Sequence, residues 1–264
     1  RHGKGELSWI NGAIMKTEWI NGNRNYLKED YFAGSYDSNS FLNGFGTLYQ
    51  VSGQIIQGNW EKGNLDGQVT VITRSGDLYN GEWNKGNING SGILITSSND
   101  RFEGNFVNGK LHGKGIRIWP NGDRYDGQYN IGIMDGIGVK IFNSGKRYEG
   151  KFKNDKFNGQ GIINFDNGDQ YEGNFFNDNY HGFGKMEWSN GSSWDGEWFY
   201  SIPNGQGTYK WSNGTKYVGE LNNDMFHGQG LYVSEKVRYD GQWKNHLQHG
   251  QGEEILADGT RYIG

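Results

Sequence analysis

The chain has six histidines, and five of them share one setting. His2, His112, His181, His227 and His249 each stand directly before a Gly-x-Gly pair. A catalytic or metal-binding histidine needs converging partners, and a metal needs two to four ligands. Only His227, His246 and His249 come near one another along the sequence. Asp66, Asn89, Asp135, Asn158 and Asn204 fill the same slot elsewhere, so a polar turn residue accounts for the position. The Gly-x-Gly pairs lack the Gly-Lys-Ser/Thr ending of a phosphate loop, and no Gly-x-Ser-x-Gly elbow is present. The triplets at Asn89, Asn190 and Asn213 match a glycosylation acceptor, but each is also a glycine-containing turn. No catalytic residue, no cofactor and no metal site is expected, and the chain is not expected to be an enzyme.

Charged residues repeat with equal regularity. Glu103, Asp126, Glu149, Glu172, Asp195 and Asp240 occupy one recurring position, and Arg101, Arg124, Arg147, Arg238 and Arg261 recur two residues before it. In a strand that spacing puts them on one face, where they compensate each other. The net charge of −4 gives no electrostatic reason to bind nucleic acid. Lys110, Lys114, Lys151, Lys153, Lys156 and Lys244 are too thinly spread to favour an anionic membrane. With no cysteine there are no disulfides, which fits a reducing compartment.

Regularity in the reactive residue types points to the scaffold. An aromatic or apolar residue followed two later by glycine returns every 23 residues: Ile56/Gly58, Tyr79/Gly81, Phe102/Gly104, Tyr125/Gly127, Tyr148/Gly150, Tyr171/Gly173, Trp194/Gly196 and Tyr217/Gly219. Tyr239/Gly241 follows after 22, and Tyr262/Gly264 after 23 more. A fixed period of this length signals a stacked array whose units contact only their neighbours. In residues 121–144, Asn121-Gly122 reads as a hairpin turn, since both residues tolerate positive φ. Tyr125, Gly127 and Tyr129 then share one face of a strand. A loop through Gly132 and Gly136 leads to a second strand at Val139-Lys140-Ile141-Phe142. The expected fold is all-β: an elongated, single-layer, twisted antiparallel meander of hairpin repeats, advancing roughly 9.6 Å per hairpin. The glycines Gly113/Gly115, Gly136/Gly138, Gly159/Gly161 and Gly182/Gly184 leave room for a ring from an adjacent strand to lie over bare backbone. Three aromatic columns would form the core: Tyr125, Tyr148 and Tyr171; Tyr129, Phe152 and Phe175; and Trp119, Phe142, Phe165, Trp188 and Trp211. On the opposite face, Ile93, Ile95, Ile116, Ile118, Val139, Ile141 and Ile162 form an apolar stripe that a partner or a second copy of the chain would cover.

The phrases RYDGQYNIGIMDGIG, RYEGKFKNDKFNGQG, QYEGNFFNDNYHGFG and KYVGELNNDMFHGQG resemble MORN repeats (membrane occupation and recognition nexus). The resemblance is close over residues 56–264, the regular array. Residues 1–55 read as degenerate or irregular repeats: Phe32-Ala33-Gly34-Ser35-Tyr36 keeps the phrase, but Gly44 and Gly46 arrive one residue late, and Met15–Trp19 lacks the glycine. Both ends fall inside a repeat, so the chain is expected to be a segment of a longer protein. The resemblance implies an aromatic groove holding a helical or extended segment of a partner, with Trp119, Tyr125, Phe142, Tyr148, Phe165, Tyr171, Trp188 and Trp211 as candidate groove residues. It further implies a scaffold in a cytoskeletal or ciliary assembly, cytoplasmic and cytoskeleton-associated, at a cilium, a flagellum or the cell cortex. The alternatives it carries are a phosphoinositide or membrane-surface module and a regulatory region attached to a lipid kinase or methyltransferase.

Overall fold

A computed structural model describes residues 30–84 and 86–264, together with the backbone of the strands Gly3–Ser8, Ile14–Ile20 and Asn23–Arg24. His2 lies outside the described residues. Among the described residues there is no helix. The chain divides into two compact units, residues 1–134 and 135–264. The first holds a three-stranded sheet from the N-terminal strands, followed by a meander running from Tyr31–Tyr36 to Arg124–Asn130. The second is a meander that ends at Arg261–Ile263. Within each unit the strands of the meander pair antiparallel with their neighbours in sequence, so each sheet is an open single layer and not a barrel.

One repeat of the second unit shows the design. In the strand Arg147–Lys153, Tyr148 and Phe152 are fully buried while Glu149, Lys151 and Lys153 face water, as the two-residue period of a strand requires. The chain reverses at Asn154 and Asp155, with φ of 50° and 64°, a pair that marks a two-residue type I′ turn. The strand Lys156–Asn164 starts at once. The expected loop between the two strands therefore does not exist, and the same holds at Ile131-Gly132, after which the strand Ile133–Ile141 begins directly. The sequence reading missed this because the strand is bulged. Phe152 faces Phe157 and Gly150 faces Gly161, so Lys151 opposes three residues instead of one.

The Asn-Gly ends are also built differently from the expectation. Trp119 N–H donates to Asp123 O and Gly122 N–H to Trp119 O, both at 2.9 Å. This is a three-residue turn in which Gly122 alone adopts positive φ, 91°, matching a type I turn with a glycine bulge. The asparagine contributes its side chain instead: Asn121 Oδ1 accepts the Asp123 N–H at 3.0 Å. Asn190 and Asn213 accept from Ser192 and Thr215 in the same way, so two of the three glycosylation-like triplets serve turns.

The ring that covers Gly161 comes from the adjacent strand, as expected, and the same ring also covers the glycine two residues after it in its own strand. Tyr148 lies flat over Gly150 and its cross-strand partner Gly161. Its hydroxyl donates to the carbonyl of Lys151, the residue at the bulge, at 2.8 Å. Tyr79, Tyr171, Tyr217 and Tyr239 repeat the bond at 2.7–3.0 Å, and Trp194 makes it through Nε1 to Glu197 O at 3.2 Å. A second ring closes the sandwich from above: Phe157 on Tyr148 at 3.7 Å, Tyr180 on Tyr171 at 3.8 Å, Phe226 on Tyr217 at 3.9 Å. The next repeat adds an edge, as Phe175 meets Tyr148 at 5.1 Å and 86°. The two glycines of each pair thus do different work. Gly161 sits beneath the ring, whereas Gly113, the leading glycine of its own pair, has φ of 75° and open space where a Cβ would go.

Two outcomes follow from this core. A Cβ on Gly161 would stand 2.5 Å from the Tyr148 hydroxyl and 2.7 Å from its ring. Gly161→Ala is expected to cost about 1–3 kcal/mol, while Gly113→Asn, a residue that tolerates the left-handed region, changes stability by less than about 0.5 kcal/mol; urea titration of both variants checks the contrast. Burial pushes the Tyr79, Tyr180 and Tyr217 phenols up to about 12. In the unfolded chain they ionise near 10, so the folded state holds more protons as pH rises above that value. Their stabilisation is complete below pH ~10 and is lost on the way to pH ~12. Alkaline unfolding should coincide with the late, buried part of the phenolate absorbance change, and complete phenolate titration of the chain without unfolding would refute it.

Candidate functional site

The eight candidate groove residues fall into two sets. Tyr125, Tyr148 and Tyr171 are 0% exposed: they are core, sealed beneath a second ring or by edge contacts, and present no surface. Trp119, Phe142, Phe165, Trp188 and Trp211 are half-buried. Each opens a three-residue turn with its own N–H and C=O, which leaves its ring at the turn end of the aromatic face.

In the second unit Phe142, Phe165, Trp188 and Trp211 hold that place one per repeat. Lys146 Nζ lies 5.2 Å from both the Phe142 and Phe165 ring centres, and Lys140 Nζ lies 4.8 Å from Phe142. These cation–π contacts give one end of the column positive charge. Further along, Trp188 stands 5.6 Å from Tyr209, which stands 4.5 Å from Trp211. A shallow polar cleft of about 440 Å³ opens beside Trp188, lined also by Asn164, Gln170, Glu187 and Ser193. Glu187 holds Lys185 above the usual lysine range through a hydrogen bond. In the first unit Trp119 lies under the Arg117 guanidinium at 4.5 Å, and Arg117 also covers Phe102 at 4.9 Å. Asp100 fixes that guanidinium with two hydrogen bonds of 3.0 and 2.6 Å, a bidentate pair.

The same turn slot is not always aromatic. Thr73 and Thr96 occupy it in the first unit, where their hydroxyls accept the N–H of Asp77 and Asp100 at 2.9 and 3.0 Å. The turn therefore does not need a ring.

On the other face the candidate stripe is interleaved with charge. In the first unit Ile93 faces Glu103, Glu103 faces Ile116, and Ile116 faces Asp126; Ile95 and Ile118 both face Arg101. In the second, Val139 faces Glu149, Glu149 faces Ile162, and Ile141 faces Arg147. The residues share a face as expected, but at each of these pairs an aliphatic side chain faces a charged one; Ile95 has an aliphatic neighbour as well, Leu78 on its other side. Arg101–Glu103, Arg124–Asp126 and Arg147–Glu149 pair along their strands at 2.5–2.7 Å. Being exposed, each is worth at most about 1 kcal/mol. Of the histidines considered for metal, His246 uses Nδ1 to accept the Phe226 N–H at 3.3 Å and packs its ring edge-on to Phe226.

Two groups escaped the sequence reading. Phe157, Tyr180 and Phe226 lie at multiples of 23 residues from each other, and that recurrence could have marked them as core. Phe176, Phe183, Phe199 and Tyr200 are exposed aromatics visible only as departures from the repeat.

No curated protein matches the sequence. Among solved structures the chain is similar to the TCP10 domain of Danio rerio CPAP, solved in complex with a peptide of Danio rerio STIL, at 12% identity and a TM-score of 0.41, with 91% of this chain and 100% of that one covered. It is similar to the TCP domain of Drosophila melanogaster SAS-4 (dCPAP), solved in complex with a proline-rich motif of Ana2 (dSTIL), at 10% identity and a TM-score of 0.27, covering 77% and 89%. The MORN repeat model matches residues 1–14, 79–101, 102–124, 125–147, 148–170, 171–193, 194–216, 217–236 and 239–261. With its hairpin period, its buried ring-on-glycine core and a family match over most of its length, this chain belongs to the MORN-repeat family.

Proposed function

We propose that the chain is a non-catalytic repeat scaffold that binds segments of partner proteins along the half-exposed aromatic column, in a cytoplasmic, cytoskeletal or ciliary assembly such as an axoneme. The observation that carries this reading is that column in the second unit: Phe142, Phe165, Trp188 and Trp211 keep rings at a slot whose turn a threonine closes equally well. Rings that the backbone does not require, left half in water in four successive repeats, favour recognition. Their spacing favours an extended occupant over a helix. Hairpins advance roughly 9.6 Å each, close to the ~9.3 Å turn of a polyproline II segment, so such a segment laid across the strands meets one ring per turn. The outer stripe is a poorer dock, because acids and arginines divide it.

The test is affinity capture with the wild-type chain and with Trp188→Ala/Trp211→Ala, whose rings lie outside the fully buried core. The double variant should keep its melting profile within a few degrees and lose its captured proteins by tenfold or more. Ile116→Lys, whose ammonium would lie between Glu103 and Asp126, should capture the wild-type set. An unchanged set from the tryptophan variant would overturn the proposal, as would salt-dependent sedimentation with phosphoinositide vesicles in place of protein capture.

A further inference from the structure

Two consecutive repeats of the second unit break the pattern on the face opposite the core. Strand alternation turns Phe175 and Trp198 inward, and so turns Phe176 and Phe199 outward. The copies on either side carry Lys153 and Asn222 at this position. Phe183 is 66% exposed where the flanking copies carry Gln160 and Gln206. Ile202 is exposed and faces Phe199 across the hairpin. Tyr200 opens a two-residue turn with φ of 47°, whereas the four other such turns of this unit open with Asn154, Asn177, Asn223 and Asn245. A bulky residue in the left-handed region is strained, while asparagine is at ease there. Four of the rings touch: Phe199 and Tyr200 at 4.9 Å, Phe176 and Tyr200 at 6.3 Å, with the His181 ring 5.2–5.6 Å from all three, and Phe183 stands on the same face of the strand that carries His181. The result is a contiguous outward aromatic patch, made at a local expense of strain.

The charge around it is one-sided. From Tyr171 to Asp224 there are seven acids and three lysines, which accounts for the whole net charge of −4 and leaves 23 acids and 23 bases in the rest of the chain. Glu172 and Asp195 are exposed on the same face with Lys185 between them, one base against those two acids and the Glu187 it bonds, and Glu197 faces Phe183 across the strands. Exposed ring faces rimmed by carboxylates suit guanidinium groups, which stack on the rings and pair with the acids.

We propose that the patch of Phe176, Phe183, Phe199, Tyr200 and Ile202 docks an arginine-bearing segment of a partner protein. It is a second interaction surface, on the face opposite the half-exposed column, and it stands whether or not that column binds. The test is fluorescence anisotropy of a labelled peptide of alternating Arg and Leu, with a Glu-Leu peptide as control, on the 264-residue chain. Phe176→Asn/Phe199→Asn/Tyr200→Asn uses residues the array already carries at these places and leaves the net charge unchanged. It should weaken the Arg peptide at least tenfold. Tyr200→Asn alone should weaken binding while holding or raising the melting temperature, a combination that a structural role for the ring would not produce. Trp188→Ala/Trp211→Ala should bind the peptide as wild type does. Equal binding by the triple variant would show that charge alone attracts the peptide, and would overturn the proposal. Failure of the wild type to bind would do the same, as would patch-dependent self-association in sedimentation in place of peptide binding.

Discussion

A phenol ring laid flat on two facing glycines, with its hydroxyl on the carbonyl of a bulge residue, is the interaction that the repeats led by Tyr79, Tyr148, Tyr171, Tyr217 and Tyr239 depend on. Each part requires the others. The ring fits only where neither Gly150 nor Gly161 has a Cβ. The bulge takes the Lys151 carbonyl out of the regular ladder, and the hydroxyl of Tyr148 satisfies it. A phenylalanine there would leave that acceptor without its donor, at a cost of about 1–3 kcal/mol. The indole of Trp194 can replace the phenol because its N–H reaches the equivalent carbonyl of Glu197. The second ring, Phe157, can stack on Tyr148 only because the two-residue turn returns the chain tightly enough to bring it overhead.

This arrangement lets one sheet layer hold a core. A flat sheet with no second layer would leave its apolar face wet, but here the layers are backbone, ring and ring within one hairpin. Edge-to-face contacts such as Phe175 on Tyr148 and Trp198 on Tyr171 tie each hairpin to the next. Trp198 adds a hydrogen bond from Nε1 to Gly184 O at 2.9 Å, back into the preceding glycine pair. Stitches at the turns do the same for the edge: the Phe157 N–H donates to Asp178 Oδ1 at 2.8 Å, and the Asp178 N–H donates to Phe157 O at 3.0 Å. Stability is therefore local and passes from repeat to repeat.

Much of this was legible in the sequence, and what was not has physical reasons. The alternation of Tyr148, Gly150 and Phe152 gave the strand and its buried face, because period two has one reading. The arginine–acid pairs were legible for the same reason. The bulge was not, because two extra residues on one strand shift the apparent period and make Lys156–Asn164 look like a loop followed by a strand. Asn-Gly was misread for a subtler reason: asparagine has two ways to serve a turn, through its own φ or through its side-chain oxygen, and Asn121 uses the second. The sorting of the groove candidates needed coordinates outright. Tyr148 and Phe142 are both aromatic and both periodic, and only the placement of one over glycine and the other at a turn decides which is sealed.

The two kinds of recurrence also bear on where function can reside. Residues that repeat because the packing demands them, such as Gly161 beneath Tyr148, change only together with what they pack against: where Ile56 replaces the tyrosine, Val69 replaces the facing glycine. Residues that repeat without that demand are different. Phe142 and Trp188 share their slot with Thr73 and Thr96, and the turn closes in either case. Rings kept there in successive repeats of the second unit answer to something other than the turn. The converse holds where the pattern is broken. Tyr200 holds a left-handed turn position that asparagine fills with less strain, and its ring points into water beside Phe199. In a periodic molecule the neighbouring copies act as an internal control for each position, so a departure that raises strain and exposes apolar area at once is evidence of a role outside the fold.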